Sequence, residues 1–199
     1  MDQVIQKRNF FKLCDSPYDV AKLTAEMEAA ENKHKYLSKN ISGWSSIPLR
    51  SVGGMEGERG NLGSGINNSA NPSDYKDTTV MTECPYLKSI LDSFGAPILK
   101  VRIMKLTKNK IIAPHVDQFS DSNIIRFHIP VVTDQNVRFF VEKENRHLEA
   151  GFLYWVNVRK SHHVTNTSKL IDRIHIVFDM FRNDAIDSLF IKNANNYLK

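Results

Sequence analysis

A mainly β fold with flanking α-helices, of the sandwich or jelly-roll kind, is predicted by three features of this 199-residue chain. The first third carries helical periodicity. From Pro97 the apolar positions switch to a period of two and hold it through several short runs rich in β-branched and aromatic residues. Polar turns separate these runs, and a helical pattern returns only at the tail. Helices at the ends with strands between them favour stacked sheets over alternating βαβ units. We read residues 1–199 as one domain: 1–96 a helical and loop part packed on the barrel, 97–180 its strand core, and 181–199 a C-terminal helix.

Composition narrows the class. Hydrophobic residues at 41% and charged residues at 25% are those of a globular chain long enough to bury a core, not of a disordered one. No apolar run approaches the length of a membrane span. The start, MDQVIQKRNFFKLC, lacks the apolar core of a signal peptide. Cys14 and Cys84 are far apart and outside any metal-ligand spacing, so a reducing, cytoplasmic setting is expected. The net charge of +5 invites a nucleic-acid partner. The Lys and Arg residues are scattered, however, and no aromatic stacking platform accompanies them, so the charge reads as a solvated surface.

Taken in order, Ser16-Pro17-Tyr18-Asp19 reads as a helix start with Ser16 at the cap. Val20, Leu23, Met27 and Ala30 carry the apolar stripe to about Tyr36 or Leu37. Gly43-Trp44 turns into a strand over Ser46–Val52. Residues 53–74, rich in Gly, Asn and Ser, read as a long loop, either a lid or disordered. Pro85–Phe94 reads as a helix stopped by Gly95. Leu99, Val101 and Ile103 then alternate with Lys100, Arg102 and Met104. Further strands are expected over 123–132, 137–142, 152–158 and 171–180, and a last helix over Asp184–Leu198. Trp155 reads as core, and His34 and His147 as surface residues.

The chemistry concentrates between residues 111 and 179. His115 and Asp117 form a His-x-Asp pair at a strand end, and a second imidazole follows at His163, with His162 competing for the role. Two imidazoles and one carboxylate hold a non-haem Fe(II) on one face and leave the opposite positions open. Alternation places further groups. Ile125, Phe127, Ile129 and Val131 share one face of their strand, which leaves Arg126 and His128 together on the other. Ile174, Ile176 and Phe178 likewise leave Arg173 and His175 together. Cations pointing into a barrel are costly unless paired, and a bound dicarboxylate would pair them. Arg102 and Arg50 are the candidates for holding a substrate carboxylate, and Trp44 is a further candidate for contacting the substrate.

His115-x-Asp117, Arg126-Phe127-His128-Ile129-Pro130, Gly151, Trp155, His163-Val164-x-Asn166, Arg173-Ile174-His175 and Asp179 together resemble the aspartyl/asparaginyl β-hydroxylase family of Fe(II)/2-oxoglutarate-dependent dioxygenases. The resemblance runs over residues 44–180 and is strongest from 98 onward. It implies a double-stranded β-helix, cupin-like, with Fe(II) on His115, Asp117 and His163 and with 2-oxoglutarate and O2 as cosubstrates. It also implies that Arg173 grips the distal carboxylate of 2-oxoglutarate and that Arg126 and His128 contact the cosubstrate near the metal. Asn166 and Asp179 are candidates for orienting ligands, with ordinary turn and strand-end roles as the alternative. Asp117 departs from the protein hydroxylases of the family, which have Gly there, and resembles bacterial cis-proline-hydroxylase-like members. That favours a small amino-acid or peptide substrate. A non-catalytic cupin-like domain that holds a metal or anion is the alternative.

Overall fold

The computed structural model of the chain describes residues 8–38, 43–56 and 68–193. In chain order the strands and helices are β1 (Phe10–Lys12), α1 (Val20–Lys33), β2 (Leu37–Ser38), β3 (Trp44–Val52), β4 (Tyr75–Asp77), α2 (Pro85–Asp92), β5 (Ile98–Leu106) and β6 (Lys110–His115). They continue as β7 (Ile124–Val132), β8 (Val137–Val141), β9 (Glu144–Arg146), β10 (Tyr154–Val156), β11 (His162–Asn166), β12 (Arg173–Phe181) and α3 (Asp184–Lys192). The strands form two antiparallel sheets. The larger runs β1-β10-β7-β12-β5-β3-β2, with β4 also on β3, and the smaller runs β6-β11-β8-β9. This is the expected jelly-roll architecture.

Alternation on β5, β7 and β12 decides what lies on each side of the large sheet. Val101, Ile103, Phe127, Ile129, Ile176 and Phe178 pack against Leu23 and Met27 of α1, Leu87 and Ile90 of α2, and Ile186 and Phe190 of α3. Trp155 joins this cluster, edge-on to Phe11 and Phe190, so its reading as core holds. A second cluster between the sheets contains Phe10, Leu106, Phe139, Val141, Tyr154, Val156 and Val164. It fills only part of the space between them. The remainder is the cavity described below, into which the even-numbered polar residues of β5 and β7 face.

Several boundaries differ from the sequence reading, each for a tertiary reason. Asp19, not Ser16, caps α1: its carboxylate accepts a hydrogen bond from the Lys22 amide. The Tyr18 amide instead donates to the Gly151 carbonyl at 2.8 Å, which holds that stretch out of the helix. The helix ends at Lys33 because the chain is soon recruited as β2, paired with β3. Strand β3 starts at Trp44 and tolerates Pro48 through a bulge between Pro48 and Arg50, where a missing ladder donor matters least. Within the stretch read as a loop, Pro72–Asp74 forms a 3-10 turn and Tyr75 begins β4. Residues 57–67 of that loop and 194–198 of the expected last helix lie outside the described residues.

Gly151 joins the N-terminal part to the barrel. Its φ is +81°, and a Cβ there would lie 2.7 Å from Val20 Cγ2 and 2.9 Å from both Pro17 Cβ and the Tyr18 carbonyl oxygen. Left-handed backbone and overpacking act together at this position. Gly151→Ala is therefore expected to destabilise the fold by about 3 kcal/mol, read as a lower denaturant midpoint at unchanged slope.

Candidate active site

His115 is the last residue of β6 and His162 the first of β11, and the two are direct partners across the ladder. Their rings lie 4.1 Å apart. Asp117 follows two residues after His115, where its amide donates to the Val158 carbonyl at 2.9 Å and fixes the chain as it leaves the strand. The Nε2 atoms of His115 and His162 lie 3.6 and 3.8 Å from the Asp117 carboxylate. One ligand atom from each of the three residues lies within 4.8 Å of the others, the spacing of a metal site.

The tautomers follow from the partners. His115 Nδ1 is 2.8 Å from the Ala113 carbonyl and His162 Nδ1 is 3.0 Å from the Lys160 carbonyl. A carbonyl only accepts, so each Nδ1 carries the proton and each Nε2 presents a lone pair. Burial lowers the His162 pKa, which keeps that ring neutral despite the nearby carboxylate. Burial pushes the Asp117 carboxyl up, but Arg126, His162, His115 and Arg102 outweigh it and hold it below its ordinary value. Two imidazole Nε2 atoms and one carboxylate thus converge. A divalent cation fits this donor set.

His163, the expected third ligand, lies elsewhere. It stacks on Phe140 of the neighbouring strand, with ring centroids 4.2 Å apart and planes at 8°. The physical reason is the two-residue period of β11: Val164 belongs to the core, so His162 and Asn166 face inward with it and His163 faces out. The sequence contained that signal, since an apolar Val164 between two polar neighbours fixes the inward parity.

Arg126 binds two carboxylates. Its Nε and Nη2 form a fork on Asp179, both contacts at 2.7 Å, while its Nη1 donates to Asp117. Burial works against the guanidinium charge, but Asp179 and Asp117 overcome it and raise the pKa. Arg126 lines the cavity, and its hydrogen bonds there hold the Asp117 carboxylate. Asp179 is the group that orients it. Asn166, by contrast, organises a turn, donating to the Leu106 and Ile171 carbonyls and accepting from the Ser168 amide.

The cavity beside the triad has a volume of about 520 Å³, and Trp44, Arg102, Arg126, His128 and Arg173 line it. Arg173 is 2% exposed and His128 5%. Burial pulls the Arg173 pKa down to about 9. Burial, then Arg126, pull Arg102 down to about 10. Burial, then Arg173, hold His128 well below its ordinary value, so it is neutral. Arg102 Nε, Arg173 Nε and both ring nitrogens of His128 have no hydrogen-bond partner among the described residues. Buried donors without acceptors, in a cavity next to a metal-type triad, fit an anionic ligand such as a dicarboxylate. Arg50 is not part of this wall: it donates to Asp77, to the Tyr75 carbonyl and to the Ile98 carbonyl, and so ties β3 to β4 and β5. Lys100, absent from the sequence-based set, does line the cavity and donates to Asn68 Oδ1 at 3.1 Å.

Solved structures share this architecture. A 2OG-Fe(II) oxygenase family oxidoreductase from Burkholderia pseudomallei superposes with a TM-score of 0.56 at 16% identity, covering 92% of this chain and 89% of that one. HygX from Streptomyces hygroscopicus, solved with nickel and 2-oxoglutarate bound, gives 0.54 at 8% identity, covering 91% and 85%. A Pseudomonas putida prolyl-4-hydroxylase gives 0.54 at 10% identity, covering 91% and 96%. Among curated proteins no sequence relative matches. Fold and site together define an Fe(II)- and 2-oxoglutarate-dependent oxygenase of the hydroxylase type. The sequence profile of the aspartyl/asparaginyl beta-hydroxylase family matches residues 18–183, and the chain belongs to that family.

Removing Asp179 isolates the importance of the Arg126 fork. Asp179→Ala leaves a buried guanidinium with one carboxylate instead of two. A loss of about 3–5 kcal/mol in unfolding free energy is expected from chemical denaturation.

Proposed function

We propose that this enzyme hydroxylates an unactivated C–H bond of an amino acid, free or as a side chain of a peptide or protein. In this reading His115, Asp117 and His162 hold Fe(II), and Arg173 binds the distal carboxylate of 2-oxoglutarate. The observation that carries it is the convergence of two Nε2 lone pairs and the Asp117 carboxylate at the edge of a cationic cavity. When bound, Fe(II) and 2-oxoglutarate supply the oxidising chemistry: O2 is consumed, 2-oxoglutarate becomes succinate and CO2, and one oxygen atom enters the substrate.

The protein's own part is positioning and electrostatics. The Ala113 and Lys160 carbonyls fix both imidazoles in the Nδ1–H tautomer, so that Nε2 is presented without reorganisation. Arg126 draws one oxygen of Asp117 to itself, which leaves the other free for the metal. Arg173 is a buried cation with no carboxylate partner among the described residues, which suits a bidentate grip on an incoming one. Neutral His128 adds hydrogen-bonding capacity without adding charge.

Arg102 supports the amino-acid part of the proposal. Arg126 is matched by Asp117 and Asp179, and Arg173 would be matched by the cosubstrate. Arg102 stands on the same cavity with no hydrogen bond among the described residues. A substrate carboxylate would balance it, with Trp44 offering an apolar surface nearby.

The test is direct. His115→Ala and His162→Ala are each expected to abolish Fe(II)-dependent formation of succinate, whereas His163→Ala retains it. Undiminished turnover by His162→Ala, or loss with His163→Ala alone, would reverse the ligand assignment. Incubation with Fe(II), ascorbate, 2-oxoglutarate and an amino-acid and peptide panel should add one oxygen atom to a member, seen by mass spectrometry. Tight metal binding without succinate would favour the non-catalytic sensing alternative.

A further inference from the structure

We infer that His175 is a positioning residue for 2-oxoglutarate selection, acting through Arg173 as a neutral hydrogen-bond acceptor. The inference rests on the proposed role of Arg173 as the distal clamp. Both residues lie on β12, two positions apart, and both face inward at 2% exposure. Arg173 Nη2 lies 2.6 Å from His175 Nδ1, the one hydrogen bond that Arg173 makes among the described residues. A guanidinium only donates, so Nδ1 is the unprotonated nitrogen and His175 is the Nε2–H tautomer. Burial and the adjacent Arg173 charge both oppose a second proton on the ring.

A neutral acceptor at this place does two things that other residue types cannot do together. It fixes the rotation of a guanidinium whose Nε is otherwise unpartnered, so the remaining donors face the cavity. It also leaves the positive charge uncancelled. An aspartate or glutamate there would pair with Arg173 and then repel the incoming carboxylate, while an aliphatic residue would leave the buried fork free to turn.

The consequence is read by binding to the Fe(II)-loaded protein without O2, by calorimetry, with 2-oxoglutarate and with 2-oxopentanoate. The second acid has the same chain length but no distal carboxylate. His175→Leu is expected to weaken 2-oxoglutarate about tenfold or more and to change 2-oxopentanoate little. His175→Asn, which keeps an acceptor near the Nδ1 position, should recover most of that loss. His175→Asp, close to Asn in size but charged, should bind 2-oxoglutarate worst of the three. Asn against Asp carries the test if the Leu variant fails to fold.

Equal weakening of both acids in His175→Leu, or equal affinities in the Asn and Asp variants, overturns the inference in favour of simple packing. Arg173→Gln separates the two levels. Discrimination between the acids that survives in Arg173→Gln removes the clamp assignment and this inference with it. Discrimination lost in Arg173→Gln but kept in His175→Leu removes only the role of His175.

Discussion

The fork of Arg126 on Asp179, with its third contact to Asp117, is the interaction around which the site is built. It joins β7 to β12 through a partner pair directly opposed in the ladder, and it reaches from the large sheet to Asp117, two residues beyond the end of β6. One guanidinium therefore links the helix-backed sheet to the edge of the smaller one at the point where the lone pairs converge. The same side chain lies over Phe119, and Arg159 lies over the same ring. Arg159 also donates to the carbonyls of Asp121, Ser122 and Ile124, so the segment carrying Asp117 is held at both ends. Preorganisation of this kind fixes the position of the Asp117 carboxylate within the protein itself.

A second constraint is charge. Buried guanidiniums on a cavity wall are tolerated only where an anion meets them. Arg126 has its anions within the protein. Among the described residues Arg173 has none and Arg102 hydrogen-bonds to none, Asp179 and Asp117 acting on it only at longer range, and burial lowers the pKa of both. The protein thus stores positive potential in a cavity that Lys100 also lines, beside a neutral His128 and apolar side chains. That arrangement favours carboxylate-bearing ligands over neutral ones, because each bound carboxylate relieves an existing burial penalty. Ligand selection and cavity electrostatics are two descriptions of the same fact.

Much of this was legible in the chain. The alternation in 124–131 and 171–178 correctly separates the helix-facing residues from Arg126, His128, Arg173 and His175, because a strand admits no other division. The His-x-Asp pair marks two members of the His115, Asp117 and His162 cluster. At His162 and His163 strand parity is the stronger signal: Val164 is apolar and central in β11, so its inward direction determines that of His162. Arg126 and Arg50 show a different limit. Both are arginines on strands near the site, yet their guanidiniums are consumed by Asp117 and Asp179, and by Asp77 and two carbonyls. Except for Asp117, nine residues from Arg126, those partners come from strands distant in sequence.

By itself the sequence determined the class of fold, the strand faces and the set of residues from which the site is drawn, because these follow from period and residue type. Only the tertiary structure decided which arginines are already paired and where the N-terminal helix begins. These are outcomes of competition between acceptors brought together across sheets. Local spacing carries no information about a partner that arrives from fifty residues away, as Asp179 does for Arg126.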